Sequence, residues 1–434
     1  MQDVNVGIVG LGNVGIGALT ILAENAGQIA AKLGFRLNVA AVCSRTAKSK
    51  SLPAGIGNAL VTEDWREVTS NPGVEIVAEL IGGTGVAREV VDSAIANGKS
   101  VVTANKELIA LDGVDIWRRA AAQGVELAME ASVCGGIPIH AALREGICGD
   151  RVETLFGILN GTCNYILTEI EKHGTAFDAV LAEAQRLGYA EANPSADVDG
   201  FDARSKLSLL ASIAFGVRID PSRIATEGIR RVSPIDFRYA HQLGCTIRLL
   251  CSARHEGDGL FLSVRPALLP LTTVLASVQG AYNAVWAKGA FGADTFYYGR
   301  GAGSLPTGVA VVSDLMQVAR DLRFGSLQRV SPFGFTCVPN AEPRNIGEQS
   351  REWYLRFRVV DKPGIIAALS AILAEYHIGI DAVLQLPEED WRSLPFVITL
   401  EKTVESNLRA AMARMAELDF MAEPPFAMPL ERGL

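Results

Sequence analysis

Asn5-Val6-Gly7-Ile8-Val9-Gly10-Leu11-Gly12-Asn13-Val14-Gly15 is the stretch whose reading decides the N-terminal fold. Asn5 to Gly10 is short and β-branched, and an alanine-rich helical stretch runs from the glycines to about Leu33. A strand that turns into a helix through GxGxxG suits a dinucleotide pyrophosphate. Gly10 permits the tight turn, Gly12 lets the main chain approach the phosphates, and Gly15 lets helix and strand pack closely. Free N–H groups at the helix start, around Asn13 and Val14, and the helix dipole favour the negative charge. The plainer alternative is a tight βα turn with no ligand.

Working outward, Arg36 to Cys43 reads as a second strand, and Val74–Leu80, Ser100–Thr103 and Val125–Ala131 read as further buried strands. Helical stretches lie between them, notably Ala87–Asn97 and Gly113–Gln123. Such alternation implies a parallel sheet with right-handed crossovers. The second strand ends in Ser44-Arg45, with Lys48 close behind, where an NAD site usually places an acid. A hydroxyl and a guanidinium suit a 2′-phosphate, so NADP is expected, with NAD possible. Arg45 as a solvated charge, or stacked on adenine without selecting a cofactor, is the alternative.

After about Pro138 the character changes. Arg151–Leu159 reads as a strand, Ala179–Leu187 and Ala203–Phe215 as helices, and Thr246–Ala253 and Leu260–Pro266 as strands. Val309–Leu322, a helix after the run Gly299 to Gly303, can return the chain to the first domain. Pro339–Glu348 reads as a linker. Beyond it, strands at Tyr354–Val360, Ile378–Leu386, Pro395–Leu400 and near Phe426–Pro429, with helices at Gly364–Tyr376 and Glu405–Leu418, form a ferredoxin-like split unit.

The 434 residues carry a net charge of −8, which disfavours nucleic acid or a membrane surface as a partner. The seven cysteines include no CxxC pair, so neither a disulfide framework nor a zinc site is expected, and a reducing, cytoplasmic setting fits. No stretch approaches the roughly 20 apolar residues of a membrane helix. The N-terminus lacks a basic leader and is not read as a signal peptide.

Chemistry concentrates in Ala184 to Lys206, AQRLGYAEANPSADVDGFDARSK. It offers Glu191, Asp197, Asp199 and Asp202, and spacing of four puts Asp202 and Lys206 on one helix face. A surface ion pair is the bland reading. A lysine against an apolar helix face is also where an amine is tuned for proton transfer. Thr103 and Lys106 lie just past a buried strand of the parallel sheet, where ligands bind.

Together these residues resemble the homoserine dehydrogenase family. The resemblance rests on Ala184, Gly188, Tyr189, Ala190, Asn193, Pro194, Asp197, Val198, Gly200, Asp202 and Lys206. The run Thr103-Ala104-Asn105-Lys106, the segment Glu130 to Ile139 and the segment Gly299 to Thr307 look similar too, and Asp361-Lys362-Pro363-Gly364 looks like the opening of an ACT regulatory domain. The implied fold is α/β. A Rossmann-type doubly wound parallel sheet spans 1–135, completed by about 300–325. An α+β substrate-binding and dimerisation domain spans 136–300, and a ferredoxin-like ACT domain spans 352–434. With no kinase-like segment before the first strand, the monofunctional form is expected.

The family implies reversible NAD(P)H-dependent reduction of L-aspartate 4-semialdehyde to L-homoserine, in threonine, methionine and isoleucine biosynthesis. By resemblance, Lys206 donates the proton to the aldehyde oxygen and Lys106 orients or polarises the carbonyl. Glu191 and Asp202 bind the substrate ammonium, Thr162 faces the substrate, and Asp197 supports lysine and substrate. Gly188 and Gly303 pack near the nicotinamide. A sodium ion is implied at the Glu130 side chain or carbonyl and the carbonyls of Val133, Gly135 and Ile137, oxygen donors suited to a hard cation. The resemblance also implies L-threonine as effector at the ACT domain and a homodimer or homotetramer. A semialdehyde dehydrogenase using Cys134 or Cys163 as nucleophile, and a non-catalytic amino-acid sensor, are the rival readings.

Overall fold

The first strand, β1 (Val4–Val9), enters helix α1 (Asn13–Glu24) through the glycine loop in this computed structural model, which describes residues 2–56, 58–257, 259–386 and 392–433. Helix α2 (Ala26–Leu33) follows at a bend of 74°. One continuous helix was expected there. Asn25 breaks it with φ −106° and ψ 12°, and with Gly27 it puts two poor helix formers within three residues. The chain continues through β2 (Leu37–Cys43), β3 (Leu60–Thr62), α3 (Arg66–Thr69), β4 (Ile76–Glu79), α4 (Val86–Ala96), β5 (Ser100–Thr103), α5 (Lys106–Ala122) and β6 (Leu127–Ala128). The strands form a parallel sheet in the order β3-β2-β1-β4-β5-β6. The order reverses between β1 and β4, the crevice where such sheets bind ligands.

Two differences from the sequence reading concern element ends. Helix α5 starts at Lys106, seven residues before the apolar pattern suggested, because the Asn105 side chain accepts the Leu108 N–H and caps it. The strand expected through Ala131 stops at Ala128, because the Glu130 N–H is drawn to the Asp314 carboxylate and a 3-10 turn follows.

The chain divides into two compact units. The first comprises residues 1–155, 205–223 and 283–342. Beyond the sheet it holds the short α6 (Ile139–Ala141), the first half of β7 (Val152–Ile158), the hairpin β11 (Tyr282–Gly289) and β12 (Ala293–Arg300), and α12 (Ser304–Phe324). Val6 and Ile8 of β1, Leu19 of α1 and Val311 and Leu315 of α12 share one buried core. Helices α1 and α12 touch main chain to main chain. A Cβ on Gly17 would stand 2.1 Å from the Ser304 carbonyl oxygen, and one on Gly308 2.8 Å from the Gly17 carbonyl carbon.

The second unit comprises 156–204, 224–282 and 343–434. Its helices are α7 (Gly161–His173), α8 (Phe177–Arg186), α9 (Ser195–Val198), the start of α10 (Phe201–Phe215) and α11 (Pro234–Gln242). The long strands β9 (Cys245–Glu256) and β10 (Gly259–Pro270) pair antiparallel over their whole length, and the short β8 (Ala225–Thr226) adds to β10. The C-terminal part is β13 (Ser350–Val359), α13 (Ile365–Glu375), β14 (Ile380–Leu384), β15 (Leu394–Val404), α14 (Glu405–Ala416) and β16 (Met421–Leu430), with sheet order β16-β13-β15-β14. This is the βαββαβ fold of an ACT domain, as expected. Leu430 of β16 also pairs with Leu268 of β10, so the ACT sheet continues that of the same unit. Buried ion pairs seal the joint: Arg265–Glu405 at 2.9 Å and Arg356–Asp236.

Among the described residues no single helix is long and apolar enough to cross a membrane.

Candidate active site

The glycine loop is built as its residues demand. Gly10 has φ 114°, and a Cβ there would stand 2.5 Å from the main chain of Leu80. A Cβ on Gly15 would stand 1.9 Å from the Gly10 carbonyl oxygen. At Gly12 nothing lies within 4 Å of that position. The open side of Gly12, the N-cap of α1, is therefore the side free for a phosphate. Leu11, Gly12, Asn13, Ile16, Lys50, Ser51 and Ser304 line a cavity of about 350 Å³ there. The Ser304 hydroxyl donates to the Asn13 carbonyl at 2.5 Å, which brings Gly303 (φ 130°) to the loop. Lys50 reaches the Leu11 carbonyl. Lys48, the basic residue singled out from sequence, is exposed on a 3-10 turn, and Arg45 is exposed just past β2.

Thr103 is fully buried at the end of β5 and donates to the Glu79 carboxylate at 2.7 Å. The same carboxylate accepts the Ile81 and Gly82 N–H groups at 2.8 and 3.1 Å. Glu79 thus ties the ends of β4 and β5 to the loop between β4 and α4. The Thr103 oxygen accepts the Asn105 N–H, and the Asn105 amide donates to Gly83. Lys106, half-buried, follows at the first position of α5. Sequence reading missed Glu79. The apolar strand Ile76-Val77-Ala78-Glu79 carries the signal, because a carboxylate ending a buried strand needs donors.

The glycine-rich turn after β6 holds Glu130, Val133, Gly135 and Ile137 in one segment. The Glu130 carboxylate accepts the His140 and Ala141 N–H groups at 2.9 and 2.8 Å, so its side chain caps α6. Burial raises its proton affinity, and these N–H groups oppose that. The Ile137 carbonyl accepts the Ile139 N–H. A Cβ on Gly135 would stand 2.5 Å from the Thr307 hydroxyl. Among the described residues no group of three His, Cys, Asp or Glu is placed to hold a metal. A cation here would depend on main-chain oxygens.

In the second unit the acids are organised by Asn160, a residue the sequence reading missed. Its amide nitrogen donates to Asp197 at 2.7 Å and to Asp202 at 2.8 Å. Its oxygen accepts the Cys163 N–H and caps α7. Two carboxylates are thus fixed side by side by one neutral amide. Thr162 donates to the Tyr189 carbonyl at 2.8 Å, which ties α7 to the turn at Gly188 (φ 79°). Glu191 is exposed, and the Gln185 amide donates to its main-chain carbonyl. Asp202 is buried one turn before Lys206 on α10, where Lys206 is half-buried. The thiols of Cys134 and Cys163 are both buried.

Comparison with known proteins gives this arrangement its family. The family described as homoserine dehydrogenase, NAD binding domain, matches residues 10–130, homoserine dehydrogenase matches 138–316, and ACT domain matches 353–417. A homoserine dehydrogenase of Pseudomonas aeruginosa is 40% identical over 435 residues, covering 100% of both chains. This chain belongs to the homoserine dehydrogenase family.

The solved homoserine dehydrogenase of Thiobacillus denitrificans is 43% identical with a TM-score of 0.90, covering 99% of this chain and 98% of its own. A hyperthermophilic archaeal homoserine dehydrogenase, solved in complex with NADPH, is 26% identical with a TM-score of 0.63, covering 75% of this chain and 100% of its own. As a homoserine dehydrogenase, the chain interconverts L-homoserine and L-aspartate 4-semialdehyde with a nicotinamide dinucleotide. Family membership and the buried thiols set the cysteine-nucleophile reading aside, and the catalytic family sets aside the non-catalytic sensor.

Proposed function

We propose that this homoserine dehydrogenase uses NADP and that its chemistry is carried by Lys206. The observation that carries the site is the Asn160 clamp, which holds Asp197 and Asp202 on the segment that leads to Lys206. When bound, the dinucleotide would supply the hydride acceptor for the carbinol carbon of homoserine and the hydride donor for the aldehyde. Lys206 removes the hydroxyl proton as the hydride leaves and gives it back in the reduction. Lys106 orients the same oxygen. Asp202 and Glu191 hold the substrate ammonium by charge-assisted hydrogen bonds, Asp197 supports lysine and substrate, and Thr162 faces the substrate. Gly188 and Gly303 leave room beside the nicotinamide.

For the dinucleotide, Gly10, Gly12, Asn13, Val14, Gly15 and Thr103 form the phosphate and crevice side, and Arg45 with Lys48 receives the 2′-phosphate. The NADPH held by the archaeal relative supports this choice. The main-chain oxygens of Glu130, Val133, Gly135 and Ile137 suit a sodium ion. The Glu130 carboxylate is already occupied by two N–H groups.

The same reading includes L-threonine as effector at the ACT domain. A cavity of about 360 Å³ lined by Asp361, Lys362, Gly364, Ile365, Gln385 and Phe396 supports it. It also includes a Rossmann domain over 1–135, completed by 300–325, a substrate domain over 136–300 and an ACT domain over 352–434. The reading extends to a homodimer or homotetramer in the cytoplasm, serving threonine, methionine and isoleucine synthesis. Strand β12, a sheet edge with Tyr298 exposed, supports assembly.

The deciding experiment follows absorbance at the nicotinamide band with L-homoserine and NADP or NAD, with and without L-threonine. Turnover with NADP preferred is expected. Arg45→Ala is expected to weaken NADP by about tenfold, the factor of one lost charge-assisted contact, and NAD much less. An equal loss for both cofactors overturns the 2′-phosphate reading.

A further inference from the structure

We infer that Arg230 is a positioning residue for the substrate-binding acids and that the turn Gly228–Arg231 relays the position of the ACT strands to them. The inference rests on the reading of Asp197 and Asp202 as substrate-site acids. The segment that carries them, α9 followed by Asp199, Gly200 and the start of α10, is held from one side by Asn160. It is held from the other side by this turn. The Ile229 N–H donates to the Val198 carbonyl at 2.9 Å. A Cβ on Gly228 would stand 2.3 Å from the Val198 oxygen and 2.6 Å from the Asp199 Cα, so only glycine lets the turn lie this close. Arg230 takes the Asp199 carboxylate in two bonds, 2.5 and 3.2 Å, and reaches the Ser195 hydroxyl at 3.3 Å. The segment between Asp197 and Asp202 is thereby fixed at its centre.

The next residue faces the ACT domain. Arg231 donates to the carbonyls of Pro424 and Pro425 of β16 at 2.8 and 3.2 Å and lies 4.8 Å over the Phe426 ring. Its own carbonyl accepts from Arg356 of β13, which also binds Ser233 and Asp236. Glu227, at the other end of the turn, is paired with Arg409 of α14. Five residues thus touch the acid-bearing segment and two strands and a helix of the ACT domain at once. A shift of β16 moves the Arg231 anchor, and the rigid Gly228–Arg230 turn carries that shift to Asp199. Arg230 and Asp199 are each partly exposed, and such a pair contributes little to folding. Loss of Arg230 therefore alters alignment and leaves the fold intact.

The test uses the full-length enzyme and reads two quantities. These are the KM for L-homoserine against kcat, and hydrogen–deuterium exchange over the peptide 195–202. Arg230→Ala is expected to raise that KM about tenfold with the cofactor KM unchanged, and to speed exchange over 195–202. Arg230→Lys is expected to fall between. Arg231→Ala, which removes only the ACT-side anchor, is expected to speed exchange over the same peptide and raise the same KM. An unchanged KM and unchanged exchange in Arg230→Ala overturn the positioning role. Faster exchange in Arg231→Ala confined to β16 overturns the relay. If Asp202→Asn leaves the homoserine KM untouched, the substrate-site reading fails instead, while exchange over 195–202 still judges the clamp.

Discussion

Asn160 fixes two carboxylates beside the segment on which Lys206 is proposed to carry the proton. One amide holds two carboxylates at 2.7 and 2.8 Å, and each would otherwise repel the other. Lys206 follows Asp202 by one helical turn. Removing a positioned proton donor costs about 10²–10⁴ in rate. Lys206→Ala is therefore expected to lower kcat by about that factor while fluorescence titration finds cofactor affinity nearly unchanged. A kcat close to that of the parent enzyme removes Lys206 from the proton-transfer role.

At the scale of elements, the glycines of α1 divide into two kinds. Gly17 is pressed against α12, with 2.1 Å between its absent Cβ and the Ser304 oxygen, whereas Gly12 faces open space. Gly17→Ala forces the helices apart, and overpacking of this kind costs about 1–3 kcal/mol. The expected result is a lower Tm for the cofactor-free enzyme. Gly12→Ala is expected to leave that Tm in place and weaken dinucleotide binding, because the methyl group occupies the phosphate side. Thermal denaturation with and without NADP separates the two. Equal Tm losses in both variants contradict the assignment of Gly12 to the ligand.

At the scale of the whole molecule, the buried ionisable groups give stability a pH dependence. Burial, with Asp321 nearby, lifts Glu126 from 4.5 to about 7. Between these values the folded chain keeps a proton that the unfolded chain releases, so this group's contribution is complete below 4.5 and is lost as pH rises through 7. His140 acts in the opposite sense. Burial pulls it from 6.5 to about 3, so its contribution is complete above 6.5 and is lost as pH falls. The two oppose each other across the mildly acidic range, and Glu126→Gln isolates one of them. The Tm of the parent relative to this variant is expected to fall as pH rises from 4.5 to 7. A constant difference across that range refutes the protonated, buried state of Glu126.

Much of this was legible in the amino-acid order because it is local. The glycine loop and the segment from Ala184 to Lys206 each lie within a short window, and the parallel alternation and the ACT pattern are successions of such windows, in each of which spacing alone sets which residues share a turn or a face. What the order left open joins residues far apart along the chain. Lys50 rather than Lys48 meets the glycine loop, because the 3-10 turn at Ala47–Ser49 decides which lysine points back. Glu79 meets Thr103 only because β4 and β5 pair in register. Asn160 meets Asp197 and Asp202, and Arg230 meets Asp199, across 31 to 42 residues. The sequence by itself determined which groups are present and which local frames carry them. Only the tertiary structure decided which charges neutralise each other, because Coulomb and hydrogen-bond energies depend on distances that packing sets.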